Sequence, residues 1–321
     1  LALSEFDLIR RYFTRSGPAR PDVVLGVGDD CALLQAPPGK ELAVTMDTLV
    51  EGVHFSPGTD PEALGYKALA VNLSDLAAMG AKPLWALLAI TLPAADPEWL
   101  EPFSRGFLDL ARTHGVRLVG GDTTHGPLSI TVTVHGSVTP GRALRRDGAR
   151  PGDRIYLSGT VGDAGVGLLI RQGLYRAPSG GEALLQRLDR PQPRLAAGRV
   201  LVGIASAAID LSDGLLADLG HICENSGVGA ELRTERLPLS PAVREYLAGG
   251  GDWGTVLAGG DDYELCFTVP PDREPLLETT GRGCDCNLTR IGVITAEPGV
   301  HCRLPDGREP ELRRPGYDHF T

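Results

Sequence analysis

Nine aspartates of this 321-residue chain stand beside glycines or at the ends of apolar runs: Asp29, Asp30, Asp47, Asp75, Asp122, Asp210, Asp213, Asp261 and Asp262. If even five converge, mutual repulsion forbids their joint ionisation unless cations sit among them. Ligands that are all oxygen point to Mg²⁺ or Ca²⁺ rather than zinc. The EF-hand spacing, a Walker A run before Lys40 and the protein-kinase motifs are all missing. Glycine turns, carboxylates and only 3 lysines beside 28 arginines suggest phosphate chemistry in which metal ions, not lysines, neutralise charge.

The element that must position the central carboxylate is a helix over 61–80, PEALGYKALAVNLSDLAAMG. Asp60 can cap it, Pro61 suits its first turn and Gly80 can end it. Helical spacing aligns Leu64, Ala68, Val71, Asp75 and Met79 on one stripe, with Leu69, Leu73 and Leu76 beside them. Such a helix is buried nearly all round, and a carboxylate on it is costly without a partner or a metal.

The other candidates recur where short strands end. A helix over 4–15 opens the chain, and a strand over 23–27 runs into GVGDD, which holds Asp30. A second strand over 42–46 ends in Asp47-Thr48, and His54 follows. Beyond the central helix come a buried strand over 84–91, an amphipathic helix over 98–114, and a strand over 117–119 that stops at Gly120-Gly121-Asp122. Residues 129–138 alternate cleanly, as a half-buried strand does. Residues 139–153, TPGRALRRDGARPGD, read as a domain joint: a solvated basic linker or, with Arg142, Arg145, Arg146 and Arg150, a phosphate clamp. A strand over 154–157 leads to Gly162, Gly165 and Gly167, whose spacing is not the dinucleotide fingerprint. A helix over 193–204 precedes a strand over 208–211, within which Asp210 is hard to explain as a cap. Asp213, at the head of the next helix, suits N-capping. Asp261-Asp262-Tyr263-Glu264 then introduces a strand with Leu265, Phe267 and Val269 alternating, and the tail ends in Tyr317, His319 and Phe320.

Composition bounds the partners. A net charge of −10 argues against nucleic acid as the main partner. The six cysteines show no paired zinc spacing, and Cys284-Asp285-Cys286 reads as structural or incidental. The first residues lack the basic and apolar regions of a signal peptide, and the longest apolar run, 84–90, is too short to span a bilayer. No membrane partner is expected, and the cytoplasm is the default location.

GVGDDCALL, TMDTLVEGVHF, LGYKALAVNLSDLAAMGAKPLW, GGDTT, AIDLSDGLLADLGHI and GGDDYELCF stand in order along essentially the whole chain, which closes on GYDHF. The series resembles that of the bacterial thiamine-monophosphate kinase family, within the aminoimidazole-ribonucleotide and selenophosphate synthetase superfamily. The resemblance implies an α/β (α+β) fold of two domains. Residues 1–140 would form a mixed-sheet domain that binds metal and ATP and dimerises through its sheet. Residues 141–153 would be the Arg-rich joint, and 154–321 a C-terminal α/β domain completing the active site. It implies ATP-dependent phosphorylation of thiamine monophosphate, the last step to thiamine diphosphate, with several Mg²⁺. Carried onto these positions, Asp30, Thr45, Met46 (through its backbone), Asp47, Asp75, Asp122, Asp210 and Asp213 would bind metal. Gly121, Asp122, Arg146 and Ser212 would bind ATP, and His54, Asp261 and Tyr317 the thiamine phosphate. Asp261 stands where many relatives are expected to carry Glu. No residue is assigned as a general base. Ring closure or selenophosphate synthesis on the same fold, or a nucleotide-binding module without turnover, are the competing readings; no reactive Cys in an N-terminal glycine-rich loop supports the second.

Overall fold

The computed structural model describes residues 5–14, 20–311 and 316–317. The chain divides into two compact units at Gly141/Arg142, with the short segment Ala77–Gly80 grouping with the second.

In the first unit, α1 (Glu5–Leu8) continues into a π-helical turn over Ile9–Phe13. The expected helix over 4–15 is thus split by a wider turn, and its two end residues lie outside the described ones. Strands β1 (Val23–Leu25) and β2 (Leu33–Leu34) form a small antiparallel pair. Then come β3 (Glu41–Val50), α2 (Pro61–Ala78), β4 (Lys82–Leu92), α3 (Pro97–His114), β5 (Arg117–His125) and β6 (Ser129–Val138). Four of the strands make one mixed sheet in the order β3-β6-β4-β5, antiparallel except for β4 with β5. The alternation of 129–138 is realised: every second residue of β6 is buried.

Helix α2 starts as expected, the Asp60 carboxylate accepting from the Ala63 N–H at 3.1 Å. It is buried nearly all round, including Lys67, Asn72 and Ser74, whereas Met79, just past its end, is exposed. Its close approach to α3 depends on two glycines. A Cβ on Gly65 would lie 2.0 Å from the Phe103 carbonyl oxygen, and one on Gly106 1.9 Å from that of Glu62. Strand β5 departs from expectation by running through Gly120 and Gly121 instead of stopping there. Gly121 has φ +152°, and a Cβ would sit 1.8 Å from the Leu88 carbonyl oxygen, so the strand continues only because the side chain is missing.

The second unit comprises β7 (Arg154–Ser158), α4 (Asp163–Arg171), α5 (Gly181–Asp189), α6 (Leu195–Leu201), β8 (Ala207–Asp210), α7 (Leu215–Ser226) and β9 (Gly229–Arg233). It is completed by α8 (Pro241–Ala248), α9 (Trp253–Leu257), β10 (Leu265–Val269), α10 (Glu274–Thr280), β11 (Leu288–Thr295) and β12 (Gly299–Arg303). Its six-stranded sheet runs β12-β9-β11-β7-β10-β8, with only β12 and β9 parallel. The core joins Ile155 and Leu157 of β7 and Ile209 of β8 to Leu215, Leu219 and Ile222 of α7. Helix α6 is shorter than the expected 193–204. The glycines near α4 serve packing: a Cβ on Gly165 would lie 2.4 Å from the Thr255 carbonyl oxygen and one on Gly167 2.6 Å from that of Leu184. The Arg-rich segment is more than a solvated linker, because the Ala208 N–H donates to the Arg145 carbonyl at 2.9 Å.

Candidate active site

In the first unit, the fold brings together Thr45 and Asp47 of β3 and Asp75 of α2. All three are half-buried, and the Thr45 hydroxyl donates to the Asp75 carboxylate. Burial, and then the charge of Asp75, push the Asp47 carboxyl well above the usual carboxylate range, and no basic group opposes the rise. The oxygen donors of this site suit a hard cation such as Mg²⁺. Met46 is exposed on the other face of β3, where only its backbone could serve as a ligand. His54 closes the turn after β3, its Nδ1 accepting from the Val50 N–H at 3.0 Å. A neutral ring therefore carries its proton on Nε2.

Asp30 and Asp122 are exposed and do not join this pair. Asp30 lies in the bend before β2, its N–H bonded to the Asp29 carboxylate at 2.9 Å. Asp122 belongs to β5, while Asp47 belongs to β3, at the opposite edge of the same sheet. Three interstrand spacings place the two strands about 14 Å apart, too far for one Mg²⁺ to take both carboxylates at roughly 2 Å each.

In the second unit, Asp210 ends the edge strand β8 and is buried. The following turn, Ser212-Asp213-Gly214, leads into α7. Asp213 does not cap that helix. Instead the Asp218 carboxylate accepts from the N–H groups of both Asp213 and Gly214 at 3.1 Å. Burial and the charge of Asp213 raise Asp218 to about 7, and Arg146 acts against that rise. Arg146 is exposed, and its carbonyl accepts from the Ser226 hydroxyl at the end of α7 at 3.0 Å. Metal-ligating atoms of Asp213, Asp218 and His221 lie within 4.8 Å of one another. Asp218 and His221 escape notice in sequence because each sits inside an ordinary amphipathic helix; the Asp-x-x-His spacing, which puts them on one helical face, is the signal for them.

Facing that turn is Gly260–Glu264. Asp261 and Tyr263 have φ of 63° and 49°, the only non-glycine residues with positive φ among those described. Each costs about 1–3 kcal/mol of strain, and backbone hydrogen bonds from Asp261 to the Ser212 carbonyl (2.9 Å) and from Tyr263 to the Leu211 carbonyl (2.8 Å) hold them. Ser212 is exposed and Asp261 half-buried. Tyr317 is 47% exposed, and its N–H donates to the Asp213 carbonyl at 3.0 Å, so the tail is tied to the Asp213 turn. His319 and Phe320 lie outside the described residues.

Comparison with known proteins places the chain in a family. The family profile "AIR synthase related protein, N-terminal domain" matches residues 28–138, and "AIR synthase related protein, C-terminal domain" matches residues 150–304. A thiamine-monophosphate kinase of Escherichia coli (strain K12) is 49% identical over 323 residues, spanning 100% of this chain and 99% of its own length. The solved thiamine-monophosphate kinase of Stenotrophomonas maltophilia K279a superposes with TM-score 0.86 at 48% identity, covering 96% of this chain and 98% of its own. AaThiL complexed with AMPPCP and TMP superposes with TM-score 0.76 at 36% identity, covering 92% of each chain. With full-length identity of this order and both domains matched, the chain belongs to the thiamine-monophosphate kinase family.

Proposed function

We propose that this chain transfers the γ-phosphoryl group of ATP to thiamine monophosphate, giving thiamine diphosphate and ADP. The observation that carries the chemistry is the half-buried Asp47–Asp75 pair with the Thr45 hydroxyl on Asp75, a set of oxygen donors only. The full-length kinase relatives, and one that binds AMPPCP and TMP, support the choice of substrates.

In the first unit Thr45, Asp47, Asp75 and the Met46 carbonyl would hold Mg²⁺, with Asp30 and Asp122 as further ligands apart from that pair, and in the second unit Asp210 and Asp213 would do so. A metal ion held there would supply charge neutralisation for the phosphates of an in-line transfer. Arg146, Ser212, Gly121 and Asp122 bind ATP, the Arg146 fork suiting its phosphates. His54, Asp261 and Tyr317 bind thiamine monophosphate; the His54 Nε2–H is a donor for a phosphate oxygen, and the Tyr317 ring is a surface for a cationic heterocycle. The acceptor is a phosphate monoester with a second pKa near 6. Its oxygen is already a nucleophile at neutral pH, so no side chain need remove a proton.

The protein acts as a homodimer joined through the first unit's sheet. Leu42, Val44 and Met46 are 45, 59 and 65% exposed on one face of the edge strand β3, an apolar row of the kind that a second copy covers. Asp47 and Asp122 occupy opposite edges of that sheet, so a partner's β5 edge is what would bring an Asp122 to the Asp47 of this chain. No helix among the described residues is long and apolar enough to cross a membrane, and the cytoplasm, where ATP is available, suits the reaction.

ADP release measured with and without thiamine monophosphate and Mg²⁺ tests the assignment. Turnover requiring both is expected; ADP release indifferent to thiamine monophosphate would overturn it.

A further inference from the structure

The strained turn at Gly260–Glu264 is anchored from beneath by groups that phosphoryl transfer does not use. Glu264 is fully buried. Its carboxylate accepts from Arg194 Nε at 2.6 Å and Nη2 at 2.5 Å, from Arg187 Nη2 at 2.6 Å and from the Ser158 hydroxyl at 2.5 Å. Ser158 Oγ in turn accepts from the Leu265 N–H at 2.8 Å. Gly159 leaves room for the cluster, since a Cβ there would sit 2.1 Å from Glu264 Oε1. Next to it, the buried Asp262 carboxylate accepts from the N–H groups of Gly162 (2.7 Å) and Ala164 (3.1 Å) at the start of α4. Arg187 also lies 3.4 Å from the Asp262 carbonyl oxygen, so one guanidinium spans both anchors.

Two arginines on one fully buried carboxylate are a costly arrangement for stability alone, because desolvating three charges offsets much of their attraction. Their place is informative. Residues 262 and 264 are gripped, and the left-handed residues 261 and 263 alternate with them. A left-handed aspartate persists only where its surroundings over-determine it.

We propose that Glu264, Arg194, Arg187 and Ser158 are positioning residues for the acceptor: they hold Asp261 in its left-handed conformation and so set the affinity for thiamine monophosphate, without acting on ATP. This rests on Asp261 being an acceptor contact. In Arg194→Lys the charge is kept and the two-pronged fork is lost. Its KM for thiamine monophosphate rises about tenfold, while kcat and the KM for ATP stay within about twofold. Ser158→Ala, which removes one hydroxyl, gives the same pattern at about threefold and decides the matter alone if Arg194→Lys does not fold. Tyr263→Gly added to Arg194→Lys lowers the acceptor KM again, because glycine adopts positive φ freely.

Equal rises in both KM values, a loss confined to kcat, unchanged kinetics in the single variants, or no recovery on adding Tyr263→Gly would overturn the positioning role. Two controls isolate the premise. Wild-type protein that fails to turn over thiamine monophosphate would overturn the assigned function itself, and Asp261→Ala with an unchanged acceptor KM would overturn the Asp261 contact.

Discussion

Asp47 and Glu264 are carboxylates withdrawn from water in the same chain, and their surroundings answer them differently. Around Glu264 the protein supplies its own cations, Arg187 and Arg194, and a hydroxyl fills a remaining lone pair. Around Asp47 it supplies a second carboxylate and no cation that lowers its pKa. Burial alone therefore does not distinguish a working carboxylate from a structural one. The partners do: a carboxylate gripped by two guanidinium groups anchors the fold, and two carboxylates drawn together with a hydroxyl suit an ion from solution.

The largest expected effect separates the two directly. Asp47→Asn and Asp75→Asn each remove a charge assigned above to metal binding and are expected to lower kcat by about 10³-fold or more, on the order of 4 kcal/mol, while the circular dichroism spectrum and melting temperature hold or improve. Full activity in both variants would return the pair to a structural role. Glu264→Gln strands one buried and one half-buried guanidinium group and destabilises the protein by about 3–5 kcal/mol, read as a lower denaturant midpoint; an unchanged midpoint would mean that the cluster is not balanced as described.

A smaller effect concerns pH. Asp47 and Asp218 have raised folded-state pKa values, that of Asp218 about 7, above the usual value of about 3.9 for an unfolded Asp. Between about pH 4 and pH 7 the folded state binds more protons than the unfolded one, so stability without metal falls as pH rises through that window. Saturating Mg²⁺ favours ionised Asp47 and makes the fall shallower; denaturant melts at several pH values with Mg²⁺ and with chelator check this, and identical slopes would speak against Asp47 as a ligand. The smallest effect is that of Tyr317→Ala, a several-fold rise in the KM for thiamine monophosphate with the KM for ATP unchanged. Because the Tyr317 contact to Asp213 is through its backbone, the substitution reports on the ring and not on the tether.

Local patterns made part of this site readable. Asp60, Pro61 and the apolar faces around Asp75 identify α2 and its costly carboxylate, and strict alternation identifies β6. Three features depended on information that local patterns do not carry. Strand order places Asp47 and Asp122 on opposite edges, although both read simply as aspartates at strand ends. The passage of β5 through Gly120 and Gly121 depends on how closely β4 approaches, since only contact with Leu88 reveals why a side chain is forbidden there. Glu264 and Arg194 are 70 residues apart in sequence, and neither has a neighbour that hints at the other. Asp213 was legible as a candidate but for the wrong local reason: it suits capping, yet no side chain caps α7, and the Asp218 carboxylate instead accepts from the Asp213 and Gly214 N–H groups.

The central claim is that the aspartates would hold metal ions whose charge offsets that of the two anions, and that no side chain acts as a base. Comparing thiamine monophosphate with thiamine as acceptors, at saturating ATP and Mg²⁺, tests it most directly. Thiamine offers an alcohol, which must lose a proton to attack, whereas the monophosphate offers an oxygen already ionised. Phosphorylation of the monophosphate with little or no turnover of thiamine is the predicted result; equal turnover of the two would contradict the account.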